Sequence, residues 1–302
     1  MYSDTHCHLK HIAEKNTAFA IEMLSQLATK KTPLILDIGT ESNDLSCRVQ
    51  LIESIVTKLS KDSIVYNQLL HSLYFSAGIW PSVQEIKNRE TGVKELEKQI
   101  DVFLKNSWST VFSKNHLIAL GECGLDHHWN PSGVDGRCEN DFTKQMVTAE
   151  AELFEMQLVL AEKKKLPVIV HSRKAFDATL SCIKNCGYHN GVIHCYSYGL
   201  KEAKQFLDLG WYISFSGSIT YTKKRNIEQM RQLLCYVPRD RMLCETDAPY
   251  LAPVPYRGKK NSPLLVKHVY DYVAEHIGVT AKELSDIVFS NACTLFKIKK
   301  SY

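Results

Sequence analysis

The stretch from 150 to 171, EAELFEMQLVLAEKKKLPVIVH, holds the repeating unit of the fold in 22 residues. Phe154, Leu158 and Ala161 recur at helical spacing among charged neighbours, so 150–165 reads as an amphipathic helix with one apolar face. Pro167 has no backbone N–H to continue that helix and stops it. Val168-Ile169-Val170 then forms a short, wholly apolar run, as a strand covered on both faces should, and His171 ends it.

The same unit recurs along the chain. Apolar runs at 2–5, 34–39, 73–79, 117–122, 168–171, 192–194, 211–216 and 242–246 alternate with longer amphipathic segments. Eight strands with intervening helices predict an α/β chain folded as a (β/α)8 TIM barrel; a doubly wound open sheet is the alternative. A length of 302 residues suits a single barrel domain with additions, since such barrels run to about 250 residues. The least regular region, around 60–115, is expected to be a surface insertion, and the tail is expected to form helices at 264–276 and 281–289.

Composition excludes several classes. With 44% hydrophobic and 23% charged residues, the chain has ample material for a core and no disordered tract. No apolar run approaches the ~18 residues that cross a bilayer, so no membrane partner is expected. The N-terminus, Met1-Tyr2-Ser3-Asp4-Thr5-His6, lacks the basic start and apolar core of an export signal. Ten scattered cysteines without a C-x-x-C pair then suggest reduced thiols and a cytoplasmic or nuclear protein. A net charge of +4 permits a polyanionic substrate without requiring one.

The chemistry sits at the strand ends. His6-Cys7-His8 closes the first strand, and side chains two apart on a strand face the same way, so both imidazoles can reach one ion. Glu122 closes the fourth strand, His171 the fifth, His194 the sixth and Asp247 the eighth. In a parallel barrel all these C-terminal ends converge on one mouth. Four imidazoles and two carboxylates form a ligand set for one or two divalent ions such as zinc, magnesium or manganese. Glu122, placed centrally, is able to bridge two of them. Asp247 is the expected proton acceptor, because Glu245 points the same way but lies deeper.

The segments Asp4-Thr5-His6-Cys7-His8, Gly121-Glu122-Cys123-Gly124-Leu125-Asp126, Leu166-Pro167-Val168-Ile169-Val170-His171-Ser172-Arg173 and Glu245-Thr246-Asp247-Ala248-Pro249-Tyr250-Leu251, followed by Pro255-Tyr256-Arg257-Gly258-Lys259-Lys260-Asn261, resemble the signatures of the TatD family of metal-dependent deoxyribonucleases. They occur in family order across most of the chain. The resemblance implies that His6, His8, Glu122, His171, His194 and Asp247 are the metal ligands. It also implies hydrolysis of DNA, often from the 3′ end, by a metal-activated water. Two departures bear on the substrate pocket. Gly78-Ile79-Trp80-Pro81 carries an indole where the family usually has histidine, and His127-His128 replaces a common aromatic residue.

Around the ligands, Arg173 and Arg257 are candidates for gripping phosphate through the guanidinium fork. Lys259, Lys260 and Lys223-Lys224-Arg225 lie on the same face. Tyr196 and Trp80 are candidates for stacking on bases of DNA or RNA, and Asp126 for orienting a ligand. His11, His71, His116, His189, His268 and His276 fall outside strand ends and are expected to be surface or structural. Two other functions compete: an amidohydrolase acting on an amide, lactone or aminoacyl ester, and a non-catalytic nucleic-acid-binding barrel. Glu122 at the fourth strand end, where the amidohydrolase scaffold often uses a modified lysine, favours the nuclease. Six retained ligands disfavour a barrel without catalysis.

Overall fold

A computed structural model describes residues 1–105, 108–128 and 137–299. Its strands are β1 (Asp4–Cys7), β2 (Ile35–Asp37), β3 (Leu73–Ala77), β4 (Leu117–Asp126), β5 (Val168–Arg173), β6 (Gly191–Ile193), β7 (Tyr212–Phe215) and β8 (Met242–Cys244). All pair in parallel, in the order of the sequence. The circle closes where Cys7 bridges Ala248 and the Asp247 N–H donates to the His6 carbonyl at 2.9 Å. This is a (β/α)8 barrel, and the open sheet is excluded.

Helices α1 (Leu9–Lys15), α2 (Thr17–Thr29), α3 (Leu45–Lys58), α4 (Ser63–Ser72), α5 (Val83–Lys87) and α6 (Arg89–Leu104) wrap the first half. The second half carries α7 (Lys144–Lys164), α8 (Phe176–Cys186), α9 (Leu200–Asp208), α10 (Ile227–Tyr236), α11 (Val266–Ile277) and α12 (Ala281–Leu295). On α7, Phe154, Leu158 and Ala161 are buried against the barrel, and each large apolar side chain so placed contributes roughly 1.5–3 kcal/mol. Lys165 then turns left-handed at φ 57°, ending the helix two residues before Pro167. None of the described helices is long and apolar enough to cross a membrane.

The region around 60–115, expected to be a surface insertion, carries α4, β3, α5 and α6; two helices, α3 and α4, precede β3 and two follow it. Val93, Leu96, Ile100 and Phe103 of α6 are buried at helical spacing, so the segment packs as an ordinary barrel helix despite its dense charge.

Several strands differ from the sequence reading in ways that place the site: β5 runs past His171 to Arg173, and β8 stops at Cys244, three residues before Asp247. β1 runs from 4 to 7 rather than 2 to 5, so His6 lies within it and His8 just beyond, as the N-cap of α1. β4 continues past 122 to Asp126, because residues 123–126 keep pairing with 170–173 of β5. Its register slips between Leu120 and Cys123, an irregularity that re-aims side chains. Glycine is required there. Gly121 has φ 141°, and a Cβ on it would stand 2.7 Å from the Ile169 carbonyl oxygen; one on Gly124, at φ 144°, would collide with the carbonyl of His171.

Candidate metal centre

Two groups of side chains meet at Glu122, on the C-terminal side of the barrel. In the first, Nε2 of His6 lies 3.5 Å from both Glu122 Oε2 and Asp247 Oδ1. Nε2 of His8 lies 3.8 Å from the same Glu122 oxygen and 3.4 Å from the same Asp247 oxygen. Asp247 reaches this point from a left-handed backbone, φ 58°, a conformation that aspartate tolerates better than most residues.

In the second group, His171 Nδ1 and His194 Nε2 lie 2.9 and 2.8 Å from Glu122 Oε1, and 3.3 Å from each other. Glu122 thus turns one oxygen to each group. All six strand-end residues singled out in the sequence come together here.

The surrounding partners fix the rings. His171 Nε2 lies 3.1 Å from Asp126 Oδ2, and His194 Nδ1 lies 3.2 Å from Glu245 Oε1. Each imidazole therefore has one nitrogen tied to a carboxylate and the other turned toward Glu122, an arrangement that sets tautomer and ring angle at metal sites. Glu245 Oε1 also accepts the Cys195 N–H at 2.8 Å, and its other oxygen accepts the Ser214 hydroxyl. Glu245 is therefore a support for His194 with its oxygens already engaged. Asp4 accepts hydrogen bonds from the Thr246 N–H and hydroxyl, at 2.9 and 2.6 Å, and so ties β1 to the turn that carries Asp247.

The electrostatics match a site built for cations. Burial opposes charge on Glu122, yet His194, His171 and His6 hold its carboxyl well below the usual range. Burial likewise works against a charged Asp247, and His8 and His6 outweigh it, keeping the carboxylate ionised. His171 is raised to about 9: burial lowers it, but Asp126 and Glu122 more than compensate. His6 moves the other way, lowered by burial and by the neighbouring charge of His194. Both ring nitrogens of His6 and Nδ1 of His8 are buried without a hydrogen-bond partner among the described residues. A buried polar atom left so costs about 1–3 kcal/mol. A divalent cation fits: it supplies the partner that Nε2 of His6 lacks, and the nitrogen and oxygen donors suit zinc, magnesium or manganese.

Of the other sequence candidates, Asp126 is buried and touches His171, as described. Arg173, 42% exposed at the side chain, has Nη1 3.7 Å from Asp126 Oδ2. Trp80 sets its ring edge-on to His171, with centroids 5.9 Å apart. Arg257 is exposed and lies over the Tyr221 ring at 4.4 Å. Tyr196 is a correction. It is 6% exposed, packs against Tyr198 and Phe215, and donates its hydroxyl to the Gly199 carbonyl at 2.6 Å. Its faces are spent on the core, which leaves none for a base.

His11, outside the strand ends, stands beside the first histidine group. Its ring stacks on His8 with centroids 5.1 Å apart, and its Nδ1 lies 3.3 Å from the Tyr250 hydroxyl. The available signal was spacing, since residues three apart on a helix are neighbours. Asp4 carried a signal too, standing two residues before His6 on the same face of β1; Glu245 and Asp247 lie just past the end of β8.

A family profile described as "TatD related DNase" matches residues 3–297. The chain belongs to the TatD family. It is 32% identical to "Uncharacterized metal-dependent hydrolase YcfH" of Escherichia coli strain K12, over 99% of this chain and 96% of that one. YabD of Bacillus subtilis, likewise described as a metal-dependent hydrolase, is 28% identical, over 99% of this chain and the whole of that one. Among solved structures, YJJV, a TatD homologue from E. coli K12, superposes with a TM-score of 0.74 at 25% identity, covering 99% of this chain and 98% of its own. This TatD-family chain is a metal-dependent hydrolase.

Proposed function

We propose that the chain hydrolyses phosphodiester bonds of DNA, as a 3′-to-5′ exonuclease, with divalent ions that His6, His8, Glu122, His171, His194 and Asp247 would hold. The observation that carries this reading is the division of the two Glu122 oxygens between His6–His8–Asp247 and His171–His194. When bound, such an ion pair acidifies a water and offsets charge on the attacking and leaving oxygens.

The protein's own groups do the rest. Asp247 accepts the proton of the attacking water, being an ionised carboxylate with 14% of its side chain open to the mouth. Asp126 and Glu245 hold the imidazoles of His171 and His194 at fixed angles through the reaction. Arg173, beside Asp126, offers its guanidinium fork to a phosphate oxygen, and Arg257 offers a second, outer contact. Trp80 provides an aromatic face at the rim for a nucleobase.

The test is to incubate metal-loaded protein with end-labelled single-stranded DNA, duplex DNA and RNA, with the double variant His6→Ala/His8→Ala as control. Stepwise shortening of DNA from the 3′ end by the wild type alone is expected. DNA left intact, or cut equally by the double variant, overturns the reading.

A further inference from the structure

A buried ion pair stands behind the second histidine group without touching it. Arg137 is 1% exposed and lies over the Phe142 ring at 4.4 Å. Its Nη1 and Nη2 donate to the two oxygens of Glu150, on α7, at 2.7 and 3.0 Å. Nη1 also donates to the backbone carbonyl of Asp126. Glu150 Oε1 in turn accepts the Asp126 backbone N–H at 2.7 Å. The pair therefore grips Asp126 by both of its backbone groups. His127 adds a third partner, with Nε2 3.6 Å from Glu150 Oε2.

Stability alone does not account for this arrangement. Taking a guanidinium and a carboxylate out of water costs nearly as much as their attraction returns, and apolar side chains of similar size would fill the space as well. What the pair adds is direction. Asp126 is the residue that faces His171 Nε2 at 3.1 Å, with its other oxygen accepting the His128 N–H at 2.8 Å. Any rotation of the Asp126 backbone carries that carboxylate, and the His171 ring, away from Glu122.

Resting on the two-ion reading of the site, we propose that Arg137 and Glu150 are positioning residues for the second ion, acting through Asp126 on His171. His6, His8 and Asp247 are held by other elements, β1 and the turn after β8, and are independent of the pair.

The test is titration of the metal-free protein with Mn2+, followed by calorimetry and by electron paramagnetic resonance of the loaded protein. In Arg137→Met/Glu150→Gln the charge pair is gone, no unpaired charge is left buried, and an acceptor for the Asp126 N–H is kept. The first ion should bind as in the wild type. The second should bind at least about tenfold more weakly, the loss typical of partners behind a metal ligand, and the spin-coupled signal should give way to that of isolated Mn2+. Should the double variant fail to fold, Arg137→Lys keeps the countercharge but not the two-pronged grip, and must still weaken the second ion selectively. Wild-type affinity for the second ion in whichever variant folds overturns this proposal alone. A wild-type protein that takes up only one ion overturns it together with the two-ion reading beneath it.

Discussion

Glu122 Oε1 lies 2.8 Å from Nε2 of His194, while Glu122 Oε2 is turned away toward His6 and His8. One carboxylate therefore serves two sets of imidazoles. Glu122→Gln keeps the shape but replaces one of the two oxygens with an amide that cannot ligate as an anion. Calorimetric titration should show binding of divalent ions weakened by at least about tenfold, with melting in metal-free buffer changed much less. Unaltered uptake by this variant would remove Glu122 from the bridge.

Asp247 shares one oxygen between His6 and His8. Asp247→Asn retains a neutral oxygen there but loses the base. Turnover should fall by about a hundredfold or more, the usual share of a general base, while ion occupancy falls less. Near-normal turnover in a fully loaded variant would hand the proton to another group.

Raised histidines shape the pH dependence of metal uptake: His8, His171 and His194 all stand above the ordinary imidazole value. His171 holds its proton up to about pH 9 in the metal-free protein, because Asp126 and Glu122 outweigh its burial. An ion must displace that proton, so affinity should rise with pH across the range below 9, by up to about tenfold per unit for each proton released. Calorimetry in buffers of different ionisation enthalpy counts the protons directly. Affinity that is flat between pH 6 and 8 would mean that none of these raised histidines gives up a proton to the ion.

Arg173 and Arg257 should separate by location. Arg173 lies within 3.7 Å of Asp126, close to the second histidine group. Being 42% exposed, it should contribute toward the low end of a charge-assisted contact, so Arg173→Ala should raise KM about tenfold with metal content unchanged. Arg257 is exposed over the Tyr221 ring, and Arg257→Ala should give a smaller rise that shrinks as salt increases. Identical kinetics in both variants would return these residues to the solvated surface.

What the sequence made legible follows from distance along the chain. Strand ends are local events: an apolar run closed by His171, or by Glu122 after a glycine, announces itself within six residues. The convergence of these ends needs only the barrel topology. Of the supports behind the ligands, the sequence reading named only Asp126; the others depend on pairings across the fold. Asp4 reaches Thr246 over 242 residues, and His194 reaches Glu245 over 51. Arg137 meets Glu150 of α7 over 13 residues, through a buried pairing that no local pattern announces. The region around 60–115 read as irregular for another reason: the charge of α6 hides its buried row of Val93, Leu96, Ile100 and Phe103. Tyr196 misled because an aromatic residue two positions after a ligand reads the same whether it faces the mouth or, as here, the core.

Anomalous diffraction from crystals of the protein soaked in Mn2+ tests the paired site most directly. Two peaks should flank the Glu122 carboxylate, one bounded by His6, His8 and Asp247 and the other by His171 and His194. A single peak, or peaks that leave Glu122 uncoordinated, would contradict it.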